Sequence, residues 1–177
     1  MKRMIYSYRD LLKQYGNERQ VAQAVTQGKI KRISRGYYSD FSADTIDYVQ
    51  RRYPRCILTG RSAFYYYGLT DQIPEKIEVA SLLGSTRIHE EKVSQSFQII
   101  GIFGLGKVCD NQIVIYDKER LLIELFRLKK RYSFDYFKEV LTSYRSIAES
   151  LDFYKVASYL TKMSYGKRLY QEIREAF

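Results

Sequence analysis

The stretch 17-NERQVAQAVTQGKIKRISRGYY-38 carries side chains suited to the edges of nucleobases. Arg19, Gln23 and Gln27 recur every four residues, so on a helix they stack along one face, with Gln20 beside them. A glutamine amide can pair bidentately with adenine, and an arginine fork with guanine. A plain solvated helix carries mostly Glu and Lys, so a face of one Arg and three Gln points to recognition. Behind it, Lys29, Lys31, Arg32 and Arg35 supply cations suited to phosphate oxygens. A basic run of this kind also serves as ordinary solubility charge, and composition alone does not separate the two.

The charge is concentrated. Residues 1–38 hold nine Lys and Arg against two Asp and Glu, a net of +7, whereas the other 139 residues hold twenty-one against eighteen, +3. This asymmetry is the footprint expected of an anionic partner. The eighteen tyrosines offer stacking surfaces, but most fall at core spacing, and a compositional bias accounts for the count more cheaply. A hydrophobic share of 45% allows a packed core. No apolar run approaches the roughly 18 residues of a bilayer span, and MKRMIYSYRD lacks the apolar region of a signal peptide, so a cytoplasmic protein away from membranes is expected.

Other chemistry finds little support. In 101-GIFGLGKV-108, Gly101, Gly106 and Lys107 match the P-loop spacing, but Val108 replaces the magnesium-binding Ser or Thr, and a turn and a strand are expected where a helix should follow. His89 stands alone in RIHEEK, and Cys56 and Cys109 belong to no paired motif. Asp117 reads as a helix cap and Glu119 as first-turn charge. No catalytic residue, cofactor or metal is expected, and the chain does not read as an enzyme.

The elements that would position these residues follow from caps and periodicity. Ser7 with Asp10 opens a helix whose apolar face is Leu11, Leu12 and Tyr15, and Gly16 ends it. Asn17, with Gln20 in the reciprocal box position, starts a second helix at once, running to Gln27 on an apolar face of Val21, Ala22 and Val25. After Gly28, KIKRISRGYY predicts a two-stranded ribbon turning at Arg35-Gly36, so that helix pair and ribbon make a winged helix-turn-helix. A helix from Ser42 past Asp44 and Asp47 runs to Tyr53 before Pro54.

Further on, strands are expected at 56–60, 76–80, 96–102 and 111–116, with a helix over Arg61 to Tyr67. Beyond Asp117 the pattern is helical, with faces Leu121, Leu122, Leu125, Leu128, then Phe134, Phe137, Leu141, Tyr144, then Phe153, Val156, Leu160, Met163, and lastly Leu169, Ile173, Phe177. The expected fold is α+β: an N-terminal winged helix-turn-helix over residues 1–49, joined to a larger α+β domain over 50–177 that ends in a helical segment.

The segments VTQGKIKRISRGYY, ILTGRSAFYYYGL and IVIYDKERLLIEL, in that order and followed by helical sequence, resemble the AbiEi family of antitoxins from type IV toxin–antitoxin (abortive infection) operons. The matching positions are Arg32, Arg35, Gly36 and Tyr38, then Ser62, Ala63, Gly68 and Leu69, then Asp117, Glu119, Arg120 and Leu122. The resemblance implies a DNA-binding repressor of its own promoter, pairing on inverted repeats. It also implies a C-terminal domain that counteracts a nucleotidyltransferase-like toxin without a stable complex, as part of phage defence. Many members carry a helix before the pair described above, and here only about five residues precede it. For the toxin-facing role the residues themselves offer only exposed-looking cations, Arg61, Arg127, Lys129, Lys130 and Arg131. Two rival readings stand beside this one: a ligand-sensing winged-helix regulator, and a phosphate-transferring enzyme using the Gly101–Lys107 loop.

Overall fold

A reciprocal exchange between Ser7 and Asp10 starts the first helix. The Ser7 backbone N–H donates to the Asp10 carboxylate at 2.9 Å, and the Asp10 N–H donates to the Ser7 hydroxyl at 3.2 Å. Both satisfy donors that a helix N-terminus otherwise leaves free. In the computed structural model, which describes residues 5–39 and 45–177, this helix belongs to the first of two compact units, divided between Pro54 and Arg55. The division lies beyond the 49/50 boundary read from sequence, so the third helix stays whole in the first unit.

The first unit runs through β1 (Ile5–Ser7), α1 (Tyr8–Tyr15), α2 (Glu18–Thr26), β2 (Lys31–Ser34), β3 (Tyr37–Ser39) and α3 (Thr45–Arg52). Only Gly16, at φ +86°, and Asn17 separate α1 from α2. Asn17 accepts the Gln20 N–H at 2.9 Å, one half of the expected box. At the other end, the N–H groups of Gly28 and Lys29 donate back to the carbonyls of Val25 and Ala24, both at 3.0 Å, with Gly28 at φ +70°. The expected helix start at Ser42, with Asp44, lies outside the described residues, as do Lys2 and Arg3.

Two features correct the sequence reading. The ribbon has a third strand: the sheet order is β1-β3-β2, all antiparallel, because Ile5–Ser7 pairs with Tyr37–Ser39. On α2 the buried positions are Val21 and Ala24, while Ala22 is exposed. At about 100° per residue, Val21, Ala24 and Val25 share one arc and Ala22 falls off it. Leu11, Val21, Ala24 and Ile30 form the buried cluster, with Tyr6, Tyr8, Leu12, Tyr15, Val25 and Tyr38 packed on it.

The second unit comprises β4 (Ile57–Leu58), α4 (Gly60–Tyr66), β5 (Ile77–Leu82), β6 (Val93–Gln98), α5 (Ile100–Phe103), β7 (Lys107–Asp110), β8 (Ile113–Tyr116), α6 (Lys118–Arg127), α7 (Phe134–Ser146), α8 (Phe153–Leu160) and α9 (Gly166–Ala176). Its sheet is mixed, in the order β6-β5-β4-β8-β7, with β4 parallel to β8 and β5 parallel to β6. The chain is therefore α+β. Helix α6 is buried from Glu119 to Phe126, not on one face only, and α8 and α9 pack on it. Inside it Arg120 and Glu124 pair at 2.6 Å, and the Arg120 guanidinium lies 5.1 Å from the centre of the Tyr116 ring. Asp117 caps α6 and also accepts the Tyr159 hydroxyl at 2.8 Å and pairs with Lys155 at 2.9 Å, tying α6 to α8.

Three further expectations are corrected. The apolar run 96–102 is not one strand: β6 ends at Gln98, the N–H groups of Ile102 and Phe103 turn back to the Ile99 carbonyl, and Ile99 and Ile100 are exposed. Cys109 and Asp110, expected in the turn after Val108, end the strand Lys107–Asp110, and the turn is Asn111-Gln112 at φ +47° and +73°, so the strand expected over 111–116 starts only at Ile113. Phe134 is exposed, because the buried arc of α7 runs through Tyr136, Val140 and Tyr144.

The glycine run has a packing explanation. A Cβ on Gly106 would stand 2.5 Å from the Arg120 Cβ and 2.7 Å from Asp117 Oδ1, and the Gly106 carbonyl accepts the Asp117 N–H at 2.7 Å. Gly106→Ala, at φ +72°, should therefore cost about 2 kcal/mol or more. Urea unfolding checks this: the midpoint should fall clearly for Gly106→Ala and scarcely for Gly104→Ala, where a Cβ meets open space.

Candidate nucleic-acid interface

Helix α2 has one face committed to the core and leaves the other exposed among the described residues. With Val21 and Ala24 buried, Arg19, Gln20, Gln23 and Gln27 all lie exposed. Their side chains enter no hydrogen bond or ion pair among the described residues. Ala22 and Thr26 complete this face. Ala22 is apolar yet lies on this exposed face, because the buried arc of α2 runs through Val21 and Ala24. Thr26 points its hydroxyl at the Ala22 carbonyl, 3.0 Å away, and a sequence pattern of Arg and Gln gave no signal for it.

The four cations follow the helix within a few residues. Lys29 comes just after Gly28, and buried Ile30 then anchors the chain before β2. Lys31 and Arg32 are exposed on β2, the edge strand of the sheet, and Arg35 is exposed at the turn. The pairing shifts between Arg32 and Ser34, leaving Ile33 as the extra, exposed residue of a bulge. Cations and a bulge on an edge strand also discourage strand-to-strand aggregation, so part of this basicity has a second physical use.

The ribbon is held at both ends. Gly36, at φ +80°, offers its carbonyl to the Tyr8 N–H at 2.9 Å, joining the turn to the start of α1. Arg52 of α3 donates to the Tyr48 hydroxyl at 2.9 Å and the Tyr53 hydroxyl at 3.0 Å, and reaches Ser34 Oγ at 3.4 Å. Its guanidinium also lies 5.6 Å from the centre of the Tyr37 ring. Arg52 thus ties the ribbon to α3. Of the cations that the sequence offers as candidates in the second unit, Arg127 is paired with Glu124, Lys129 with Glu172, and Arg61 stacks over Tyr132 and Tyr136.

Asp10 links α1 to α3 through Arg51 at 2.8 Å. The Ser7 backbone N–H first, then the Ser7 hydroxyl and Arg51, hold its carboxyl down at about 2. A lowered folded pKa means that its contribution is complete above about pH 4 and is lost as pH falls toward 2. Urea titrations at pH 7 and pH 3 should show Asp10→Asn closing part of the gap between the two conditions. Arg52→Ala should speed amide exchange in β2 and β3 about tenfold, a change of the size expected for losing this set of contacts, while leaving α1 amides unaltered.

Among the described residues no helix is long and apolar enough to cross a membrane, and no group of three or more His, Cys, Asp and Glu stands ready for a metal ion. In comparisons with known proteins, no family model matches the chain and no curated protein matches it.

Proposed function

We propose that the first unit is a winged helix-turn-helix that binds duplex DNA, with α2 in the major groove and the β2–β3 ribbon as the wing. The observation that carries this reading is the outer face of α2, where Arg19, Gln20, Gln23 and Gln27 are exposed, their side chains in no hydrogen bond or ion pair among the described residues. Those side chains read base edges, each good bidentate pair giving about 1–3 kcal/mol of discrimination. Lys29, Lys31, Arg32 and Arg35 hold phosphates and set the register. One such unit is small, so useful specificity calls for two copies on an inverted repeat.

The biological role we propose is that of an AbiEi-like antitoxin which represses its own promoter and whose second unit counteracts a nucleotidyltransferase-like toxin. Support for the repressor half comes from the N-terminal geometry. The toxin-facing half rests on the sequence resemblance. The phosphate-transfer alternative is weakened by Gly106, because Asp117 and Arg120 occupy the space beside it and Lys107 lies in a strand.

Binding should be titrated against salt on duplex from the upstream region of the gene and on a scrambled duplex of equal length. The expected preference is about a hundredfold or more. Gln23→Ala should flatten that preference, whereas Arg35→Ala should weaken both duplexes alike and shallow the salt slope. Identical behaviour of the two variants would overturn the division between base reading and phosphate holding.

A further inference from the structure

A second basic surface lies on the second unit, where α8 turns into α9. Gly166 sets this corner: it is buried, and a Cβ there would stand 1.8 Å from the Leu160 carbonyl oxygen. The close approach opens a cavity of about 660 Å³ beside the turn, with Leu160, Met163 and Gly166 in its walls and Tyr165 and Lys167 at its edge. A second cavity of about 530 Å³, lined by Gln171, Arg174 and Glu175 among others, shares Lys167 and Tyr170 with the first. The two adjoin at Lys167 and Tyr170 and make a shallow groove, open to solvent, on the outer side of α9.

The groove alternates rings and cations. Tyr165 is 71% exposed, and the Arg174 guanidinium stands 6.0 Å from the centre of the Tyr170 ring. Lys167 and Arg174, which line the groove, enter no ion pair among the described residues. Of the nearby acids, Glu172 is paired with both Lys129 and Arg168, so Glu175 is the carboxylate facing the groove without a cation. An apolar floor, two aromatic faces and surplus positive charge along an extended track suit an extended anion with flat apolar groups at intervals.

We propose that this groove binds single-stranded nucleic acid, with bases stacked on Tyr165 and Tyr170 and phosphates held by Lys167 and Arg174. Stacking is tolerant of sequence because every base has a flat face, and the cations follow the backbone. This is a different chemistry from the hydrogen-bond reading proposed for α2, and it uses none of the same residues.

The test uses the full chain and labelled homopolymers of about fifteen nucleotides, long enough for a track of this kind. Fluorescence anisotropy on oligo-dT and oligo-U separates DNA from RNA as the source of the strand. Tyr165→Ala and Tyr170→Ala should each weaken binding about tenfold, with Tyr165→Phe close to wild type. Lys167→Ala combined with Arg174→Ala should weaken it and shallow its salt dependence. Neither Gln23 nor Arg35 lines this groove, so a failed duplex preference would not touch this result. Circular dichroism and thermal melts confirm that each variant is folded. The proposal is overturned if neither homopolymer binds, if the folded tyrosine variants bind like wild type, or if Arg35→Ala abolishes single-strand binding.

Discussion

A small cluster of buried side chains, among them Leu11, Val21, Ala24 and Ile30, holds the N-terminal helix pair together, and α3 adds the buried Ile46, Tyr48 and Val49 to the same unit. Full burial of an apolar side chain contributes about 1.5–3 kcal/mol, and ordering each residue costs about 1–2 kcal/mol. So small a cluster needs support from its edges. It comes from the Ser7–Asp10 exchange, the Asn17 cap, the Gly28 stop and the Arg51 and Arg52 contacts of α3. The same cluster orients the candidate interface: once Val21 and Ala24 face inward, Arg19, Gln23 and Gln27 have only solvent, or a partner, to face.

The second unit is organised around a different constraint, a charged pair inside α6. Arg120 and Glu124 are almost wholly removed from water, and the guanidinium spreads over Tyr116 and reaches the Met163 sulfur at 3.5 Å. A buried pair of this kind adds little net stability over apolar substitutes, yet losing one partner strands the other charge. Gly106, Tyr116 and Met163 must all keep their places around it, which couples the β7 connection, β8 and the α8–α9 turn to one helix. Burial also pushes the Tyr116 hydroxyl up to about 12, so it stays protonated and donates to the Phe103 carbonyl at 3.0 Å.

The net charge of +10 is thus not one feature. On the first unit the cations stand on an edge strand and at a turn, beside amide side chains with paired donors and acceptors. On the second they line a groove with tyrosine rings. Many of the remaining cations are absorbed internally: Arg127 by Glu124, Lys155 by Asp117, Arg168 by Glu172. A count of Lys and Arg cannot distinguish these fates, since the difference lies in which carboxylate or ring is within reach.

Local chemistry in the sequence determined the start of α1, the two-residue junction before α2, its stop at Gly28, the basic ribbon and the cap of α6. Each depends on residues within about five positions of one another, as capping and turn preferences do. It also specified the outer face of α2, because periodicity alone puts Arg19, Gln23 and Gln27 together. Only the tertiary structure decided that Ala22 lies outside and Ala24 inside, that Ile5–Ser7 completes the sheet, and that Ile99 and Ile100 leave the strand. It alone closed α6 around Arg120, with Tyr116 and Met163 against the guanidinium. Those outcomes turn on which distant surface covers a given face, and apolar type and spacing do not encode that partner.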